Sequence, residues 1–275
     1  MISAPATTAN VGPGFDCAAI ALELRNELEV TAAHELEVVV EGEGADAVAA
    51  DESNLVVRAY ALLADPRGKR FRCVNRIPLG RGLGSSAAAI ALGLRAAAPG
   101  VPAEELLAAG LELEGHADNL AAALAGGCCL TWAGRIARVA DDAPLAAIAV
   151  VPEERVSTDA ARRSLPAEVA HADAAHTAGR AALLGAALAA GDSELFAAAL
   201  DDRLHEPYRA ATAPLLAAIR SDLPPGAVGA TISGSGPTVV VWARPEEADA
   251  CAAALAGRLP RERVLRLAVA AAGAG

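Results

Sequence analysis

The chain has 275 residues, enough to bury a sizeable core in one large domain or in two that share an interface. Its formal net charge of -11 repels phosphodiester backbones and anionic membrane surfaces, and no local basic patch offsets it, so neither nucleic acid nor a membrane is expected as a partner. The apolar fraction of 54% comes largely from alanine, with 3% aromatic residues, which argues for closely packed helices and leaves few platforms for stacking bases.

Residues 1–5 show no basic segment followed by an apolar stretch, so no secretory signal is expected, and the first strand reads as short. Residues 36–41 (Leu-Glu-Val-Val-Val-Glu) and 71–77 (Phe-Arg-Cys-Val-Asn-Arg-Ile) are runs of strand length, and 54–63 between them carries apolar residues at helical spacing. Helices are expected at 85–98 and from 103 to about 114. A boundary falls near 140–144, where Asp-Asp and a proline precede a strand at 145–151. Beyond it the sequence predicts helices at 158–165, 172–190, 193–204 and 212–221, strands at 228–233 and 238–243, a helix at 246–257 and a strand at 263–270. Helices segregated against antiparallel strands make the class α+β. The five cysteines include no C-x-x-C pair, and adjacent Cys128 and Cys129 are poorly placed to bond each other, so free thiols in a reducing cytoplasm are expected. The longest apolar stretches, such as 120–134, are too short and glycine-rich to span a bilayer as helices.

Residues 78–88, Pro-Leu-Gly-Arg-Gly-Leu-Gly-Ser-Ser-Ala-Ala, set three alternating glycines between a strand and a helix that opens with two hydroxyls. Backbone N–H groups at such a helix N-terminus suit a polyphosphate, and serine hydroxyls there can reach a phosphate or a metal. The plainer alternative is a tight turn with a serine cap. The loop is neither a Walker motif, which needs Gly-Lys-Ser/Thr, nor the dinucleotide fingerprint. Lys69 is the chain's single lysine, which leaves little room for chemistry that needs a lysine beside phosphates.

Three separated motifs resemble those of the kinases named for galactose, homoserine, mevalonate and phosphomevalonate, the GHMP kinases. They are residues 5–16 (Pro-Ala-Thr-Thr-Ala-Asn-Val-Gly-Pro-Gly-Phe-Asp), the Gly82-Leu83-Gly84-Ser85-Ser86 loop, and residues 232–238 (Ile-Ser-Gly-Ser-Gly-Pro-Thr). The first motif, with residues 114–119 (Glu-Gly-His-Ala-Asp-Asn), 157–162 (Ser-Thr-Asp-Ala-Ala-Arg) and 206–209 (Glu-Pro-Tyr-Arg), is similar to the branch that acts on homoserine. Ala18-Ala19 and Ala117 depart from the branch pattern, at positions not expected to touch substrate.

The resemblance implies a two-domain GHMP kinase fold, an N-terminal half (1–142) like ribosomal protein S5 domain 2 that binds ATP and a ferredoxin-like C-terminal half (143–275). It implies Mg2+, ATP and L-homoserine as ligands, a homodimer, and a cytoplasmic place in threonine biosynthesis. It gives Asp16 the substrate ammonium, Arg162 and Arg209 the carboxylate with His116 assisting, and Asn10 the hydroxyl. Bidentate pairing to a carboxylate suits arginine at these positions. Thr158 is implied beside the γ-phosphate and counts with Asn10, Asp16 and Arg162 as catalytic. Asn54 is implied as an adenine contact, and Pro78, Leu79, Gly80, Arg81, Gly82, Leu83, Gly84, Ser85, Ser86, Ala87 and Ala88 as the nucleotide loop. Glu114 is implied as the metal's carboxylate, with Ser86 its hydroxyl partner and Ser85 the alternative. Each residue also has a plainer role: Asp16 a cap of a following helix, His116 a loop histidine, Glu114 a solvated glutamate, the arginines surface ion-pair partners and Asn10 a turn residue.

Overall fold

The computed structural model describes residues 1–211 and 213–275, with residue 158 described by its backbone alone. Strand β1 (Ile2–Asn10) turns back into β2 (Gly14–Ala32), a 19-residue strand buried throughout Ala18–Leu22 and then inward at Asn26 and Leu28, with Glu23, Arg25, Glu27 and Glu29 less covered. The first strand is therefore nine residues long, and its partner is the longest strand of the fold among the described residues. Strand β3 (Glu37–Gly42), helix α1 (Leu55–Ala61) and β4 (Lys69–Asn75) follow as a strand, helix, strand unit, with β3 and β4 parallel as a helical crossover requires. Helices α2 (Ser85–Ala97), α3 (Ala103–Gly110) and α4 (Ala117–Ala125) precede the hairpin of β5 (Cys128–Trp132) and β6 (Arg135–Ala140). The sheet runs β3-β4-β2-β5-β6, with β1 also on β2.

After β7 (Ala146–Val151) come α5 (Thr158–Arg163), α6 (His171–Ala190), α7 (Ser193–Ala199) and α8 (Pro214–Ser221). The helix start expected at residue 212 lies outside the described residues. Strands β8 (Ala227–Ile232) and β9 (Val239–Ala243), helix α9 (Ala248–Arg258) and β10 (Arg263–Leu267) complete an antiparallel sheet of order β10-β7-β9-β8. The architecture is the expected α+β.

Two expected helices end early, and the neighbouring side chains say why. The segment expected as helix to residue 204 stops at Ala199, because the Asp202 carboxylate accepts from the N–H groups of Leu204, His205 and Glu206 and holds them in a loop. The helix expected to reach 114 stops at Gly110, where the chain turns so that Glu114 and His116 face a cavity.

One apolar cluster links the sheets. It joins Ile20, Leu22, Phe71, Ile90 and Leu120 to Ala147, Ala149 and Val151 of β7, Leu184 and Leu188 of α6, Phe196 of α7 and Val240 and Trp242 of β9. The opposite face of the second sheet, with Ile148, Val150, Val239 and Val241, packs on α8 and α9. Strands β7 and β9 are thus buried on both faces, which is why they read as continuous apolar runs. All five cysteines are free, four of them buried. Among the described residues no helix is long and apolar enough to cross a membrane.

Candidate active site

The 80–84 loop leaves β4 and enters α2 with Gly80, Gly82 and Gly84 at φ of 68°, 77° and 66°. At Gly82 a Cβ would land on the Ser233 carbonyl, and at Gly84 on Thr7 Oγ1, so atoms of all three motifs close on this turn. Ser233 Oγ donates to Gly82 O at 2.7 Å, and Ser233 N–H to Thr238 O at 2.9 Å. The 232–238 segment is therefore both the turn between β8 and β9 and the packing surface for the loop. The cap of α2 is Gly84 in the left-handed region, and no side chain caps the helix, so the serine-cap alternative fails. The first N–H groups of α2 have no partner inside the helix, which leaves them for an anion.

A cavity of about 340 Å³ opens at this helix end. It brings together Asn10, Asp16, Asn54, Leu79, Gly80, Arg81, Gly82, Gly84, Ser85, Ser86, Glu114, His116, Arg162 and Arg209, drawn from six separated segments. Four residues of the nucleotide loop do not line it: Pro78, Leu83, Ala87 and Ala88 are buried in the protein, and any contact from them would be through backbone. The side chain of Thr158 lies outside the described residues. The Arg81 guanidinium is held by three carbonyls, Leu79 O (2.8 Å), Pro152 O (3.0 Å) and Glu153 O (2.7 Å), so it staples the loop to the segment after β7. Asn54 caps α1, accepting from Val56 N–H at 2.9 Å and donating to Ala49 O at 2.6 Å, and it lines the cavity.

Ser86 Oγ donates to Glu114 Oε2 at 2.9 Å, so Ser86 rather than Ser85 is the hydroxyl beside this carboxylate. Burial pushes the Glu114 carboxyl above its ordinary value, while the Ser86 hydroxyl and His116 pull it down. A carboxylate and a hydroxyl are hard oxygen donors that fit Mg2+. No cluster of three or more His, Cys, Asp or Glu that could hold a metal exists among the described residues. A magnesium ion here would complete its shell with phosphate oxygens and water.

The opposite end of the cavity is charged. Asp16 sits at φ 55° within β2, so no helix follows for it to cap, and its carboxylate takes two guanidinium nitrogens of Arg162 at 2.8 to 3.1 Å. Asn10 Oδ1 accepts from Asp16 N–H at 3.1 Å and its amide donates to Gly234 O at 2.8 Å, leaving one N–H toward a ligand. Arg209, 2% exposed, donates to Gly234 O at 3.0 Å and lies 5.3 Å from the centre of the Phe15 ring, with Arg162 at 5.6 Å from the same ring. Burial, then the neighbouring Arg162 charge, pushes Arg209 below its ordinary value. Two guanidiniums converging on one point favour an anion between them.

Asp118 lies in the quoted 114–119 segment but had been given no role. It is 3% exposed, lines the cavity, and among the described residues accepts from the Asn119 N–H (2.7 Å) and amide (3.2 Å). Burial raises its carboxyl to about 6, an increase that the Asp16 charge adds to and the Asn119 N–H opposes. The detectable signal was its place one turn after Glu114 at a helix start; what sequence could not show was its burial.

The pattern of the GHMP kinases N terminal domain matches residues 54–127, and that of the GHMP kinases C terminal matches 184–261. The chain belongs to the GHMP kinase family. Its particular relatives are homoserine kinases. That of Streptomyces coelicolor is 43% identical over 265 residues, covering 90% of this chain and 85% of the relative. That of Gloeobacter violaceus is 42% identical, with 94% and 92% covered. The crystal structure of homoserine kinase from Cytophaga hutchinsonii superposes with a TM-score of 0.87 at 27% identity, over 100% of this chain and 96% of the other. A mevalonate kinase structure shares the fold, with a TM-score of 0.72 at 14% identity over 98% of each chain.

Proposed function

We propose that this enzyme transfers the γ-phosphoryl group of ATP to the hydroxyl of L-homoserine, giving O-phospho-L-homoserine, the step that threonine biosynthesis requires. The observation that carries the reading is the division of one cavity into two ends. At one end the uncapped α2 N-terminus meets Ser86 and Glu114; at the other stand two guanidiniums and two carboxylates, the complement of a zwitterion. In this reading Arg162 and Arg209 take the carboxylate, and Asp16 and Asp118 face the ammonium. Arg162 Nε is buried without a partner among the described residues, a donor suited to an incoming anion. The remaining N–H of Asn10 orients the hydroxyl, Thr158 and His116 stand at the transferred phosphate and the substrate carboxylate, and Asn54 lies by the adenine.

Mg2+ held by Ser86 and Glu114 would neutralise phosphate charge. Transfer through a loose transition state depends on alignment and charge neutralisation, so a strong general base is not required and the hydroxyl proton passes to the phosphate. Asp16 supports that view, since Arg162 already occupies its oxygens and makes it a binding group. We read the nucleotide-binding half as 1–142 and the second half as 143–275, and the enzyme as a cytoplasmic homodimer, which light scattering would test.

The decisive assay incubates purified protein with magnesium ATP and a panel of alcohols, namely homoserine, mevalonate, shikimate and a methylerythritol derivative. Phosphohomoserine forming well ahead of the other products is expected. Turnover of mevalonate or shikimate in preference to homoserine overturns the substrate reading, and no magnesium-dependent ADP release overturns the kinase.

A further inference from the structure

His205 is the only buried histidine of the five in the chain. It touches both substrate motifs. Its Nε2 lies 2.8 Å from Gly12 O in the first motif, and its Nδ1 lies 3.2 Å from Arg209 NH1. A guanidinium can only donate and a carbonyl can only accept. Nδ1 must therefore be the acceptor and Nε2 the protonated nitrogen, which is one tautomer of the neutral ring. The Asp202 Oδ2 atom at 3.6 Å from Nε2 is beyond hydrogen-bonding distance. Phe15 stacks on the ring with centroids 5.0 Å apart, and Asp202 anchors the His205 N–H at 2.8 Å, so the imidazole is fixed in plane as well as in direction. Burial pushes the ring below its ordinary value, which favours the same neutral state.

We propose that His205 is a positioning residue that, as the Nε2–H tautomer, clamps Arg209 to the Gly12 carbonyl and so aims the guanidinium at the substrate carboxylate. The inference rests on the reading of Arg209 as a carboxylate ligand. Arg209 NH1 also donates to Gly234 O, so with His205 it is held from two sides, by the 5–16 motif through the imidazole and by the 232–238 motif directly. A long side chain that is pre-aimed loses less rotamer freedom when substrate arrives. The first motif would then act on homoserine twice, through Asp16 directly and through Gly12 by way of His205 and Arg209.

Two isosteres separate the two nitrogens: asparagine puts its oxygen near the Nδ1 position, and glutamine puts its amide near Nε2. The experiment measures steady-state kinetics on the full-length enzyme for wild type, His205→Asn, His205→Gln, Arg209→Leu and His205→Gln combined with Arg209→Leu. Homoserine and aminopropanol, which lacks the carboxylate, serve as acceptors. His205→Gln removes the acceptor for Arg209 and is expected to raise the KM for homoserine about tenfold or more, with the KM for ATP unchanged. His205→Asn should restore most of the wild-type value, His205→Gln should add nothing to Arg209→Leu, and aminopropanol turnover should be the same in wild type and the two single His205 variants. Equal damage from both isosteres, a parallel rise in the KM for ATP, or multiplying effects in the double variant would overturn the clamp.

Imidazole nitrogen NMR of the wild-type enzyme at pH 7 judges the clamp even if the variants misfold. One exchange-protected Nε2–H paired with an unprotonated Nδ1 is expected, and the absence of any protected imidazole N–H would overturn it. Wild type that ignores homoserine would overturn the substrate reading, and the carboxylate role of Arg209 with it, while the NMR result still reports on the clamp itself.

Discussion

Asp118 holds a buried carboxyl in the cavity with its Asn119 neighbour the only hydrogen-bond donor among the described residues. Its folded value of about 6 lies above the ordinary 3.8, so the folded chain binds more protons than the unfolded chain across that window. Stability from this group therefore falls as pH rises from about 4 to 6, and by pH 7 the loss is about 3 kcal/mol. Asp118→Asn keeps the acceptor oxygen and removes the charge. Thermal melts of the ligand-free variant should show higher stability than wild type at pH 8 and none at pH 4, alongside a raised KM for homoserine. Equal melting at pH 8 would mean that water or a cation already compensates the charge. Asp16 is the contrasting case, because Arg162 pairs with it. Asp16→Asn should raise the KM for homoserine more than it lowers kcat, and the reverse pattern would make Asp16 a base. For Glu114→Gln, titration of ADP release should show the magnesium requirement rising at least about tenfold.

Among the elements, the turn into α2 is held by contacts that allow no side chain at Gly84. Alanine there would meet both a left-handed φ of 66° and the Thr7 hydroxyl, which already donates to Asn119 Oδ1 at 2.6 Å beside Asp118. Gly100 is the control: its φ is also left-handed, at 85°, but nothing lies within 4 Å of the position a Cβ would take. Gly100→Ala should cost about 1 kcal/mol of backbone strain with no change in the KM for ATP. Gly84→Ala should cost more and raise that KM strongly, and equal behaviour of the two would remove the steric argument. This loop was legible because glycine spacing announces backbone geometry directly. Strand β2 carries a weaker signal: Leu22, Leu24, Leu28 and Val30 alternate with Glu23, Arg25, Glu27 and Glu29, but Asn26 interrupts the apolar series. That asparagine is 1% exposed and accepts from the N–H groups of Arg76 and Ile77, a long-range role that periodicity cannot reveal. The β5–β6 hairpin hid behind its Ala133-Gly134 turn, where alanine takes a φ of 46° that a reader of turns assigns to asparagine. The Arg81 guanidinium is held by three carbonyls, two of them beyond β7, a long-range role that loop spacing cannot reveal.

At the scale of the whole molecule, the sheets fall on either side of the 140–146 connection, yet the main apolar cluster draws from both. Trp242 of the second sheet is fully buried, its ring edge set against Phe196 at 4.9 Å and its N–H donating to Thr231 Oγ1 at 3.0 Å. The chain after β10 then returns to the first sheet. Glu23 N–H donates to Ala268 O at 2.8 Å, Ser3 and Gly275 exchange backbone hydrogen bonds, and Arg25 and Arg95 donate to the carbonyls of Gly273 and Ala274. With a shared core and a returning tail, neither sheet can open without exposing apolar surface of the other, so the two should unfold as one cooperative unit. Trp242→Ala, which should cost about 3 to 5 kcal/mol, tests this at a distance. Hydrogen exchange under mild denaturant should show the amides of β4, in the first sheet, losing as much protection as those of β9. The active site sits between contributions from both halves, so such coupling would keep Arg209 and Asp16 in register whenever either sheet is folded. Loss of protection confined to β7, β8 and β9 would instead mean that the second half opens alone, and the carboxylate end of the cavity would then come apart while the nucleotide loop stayed intact.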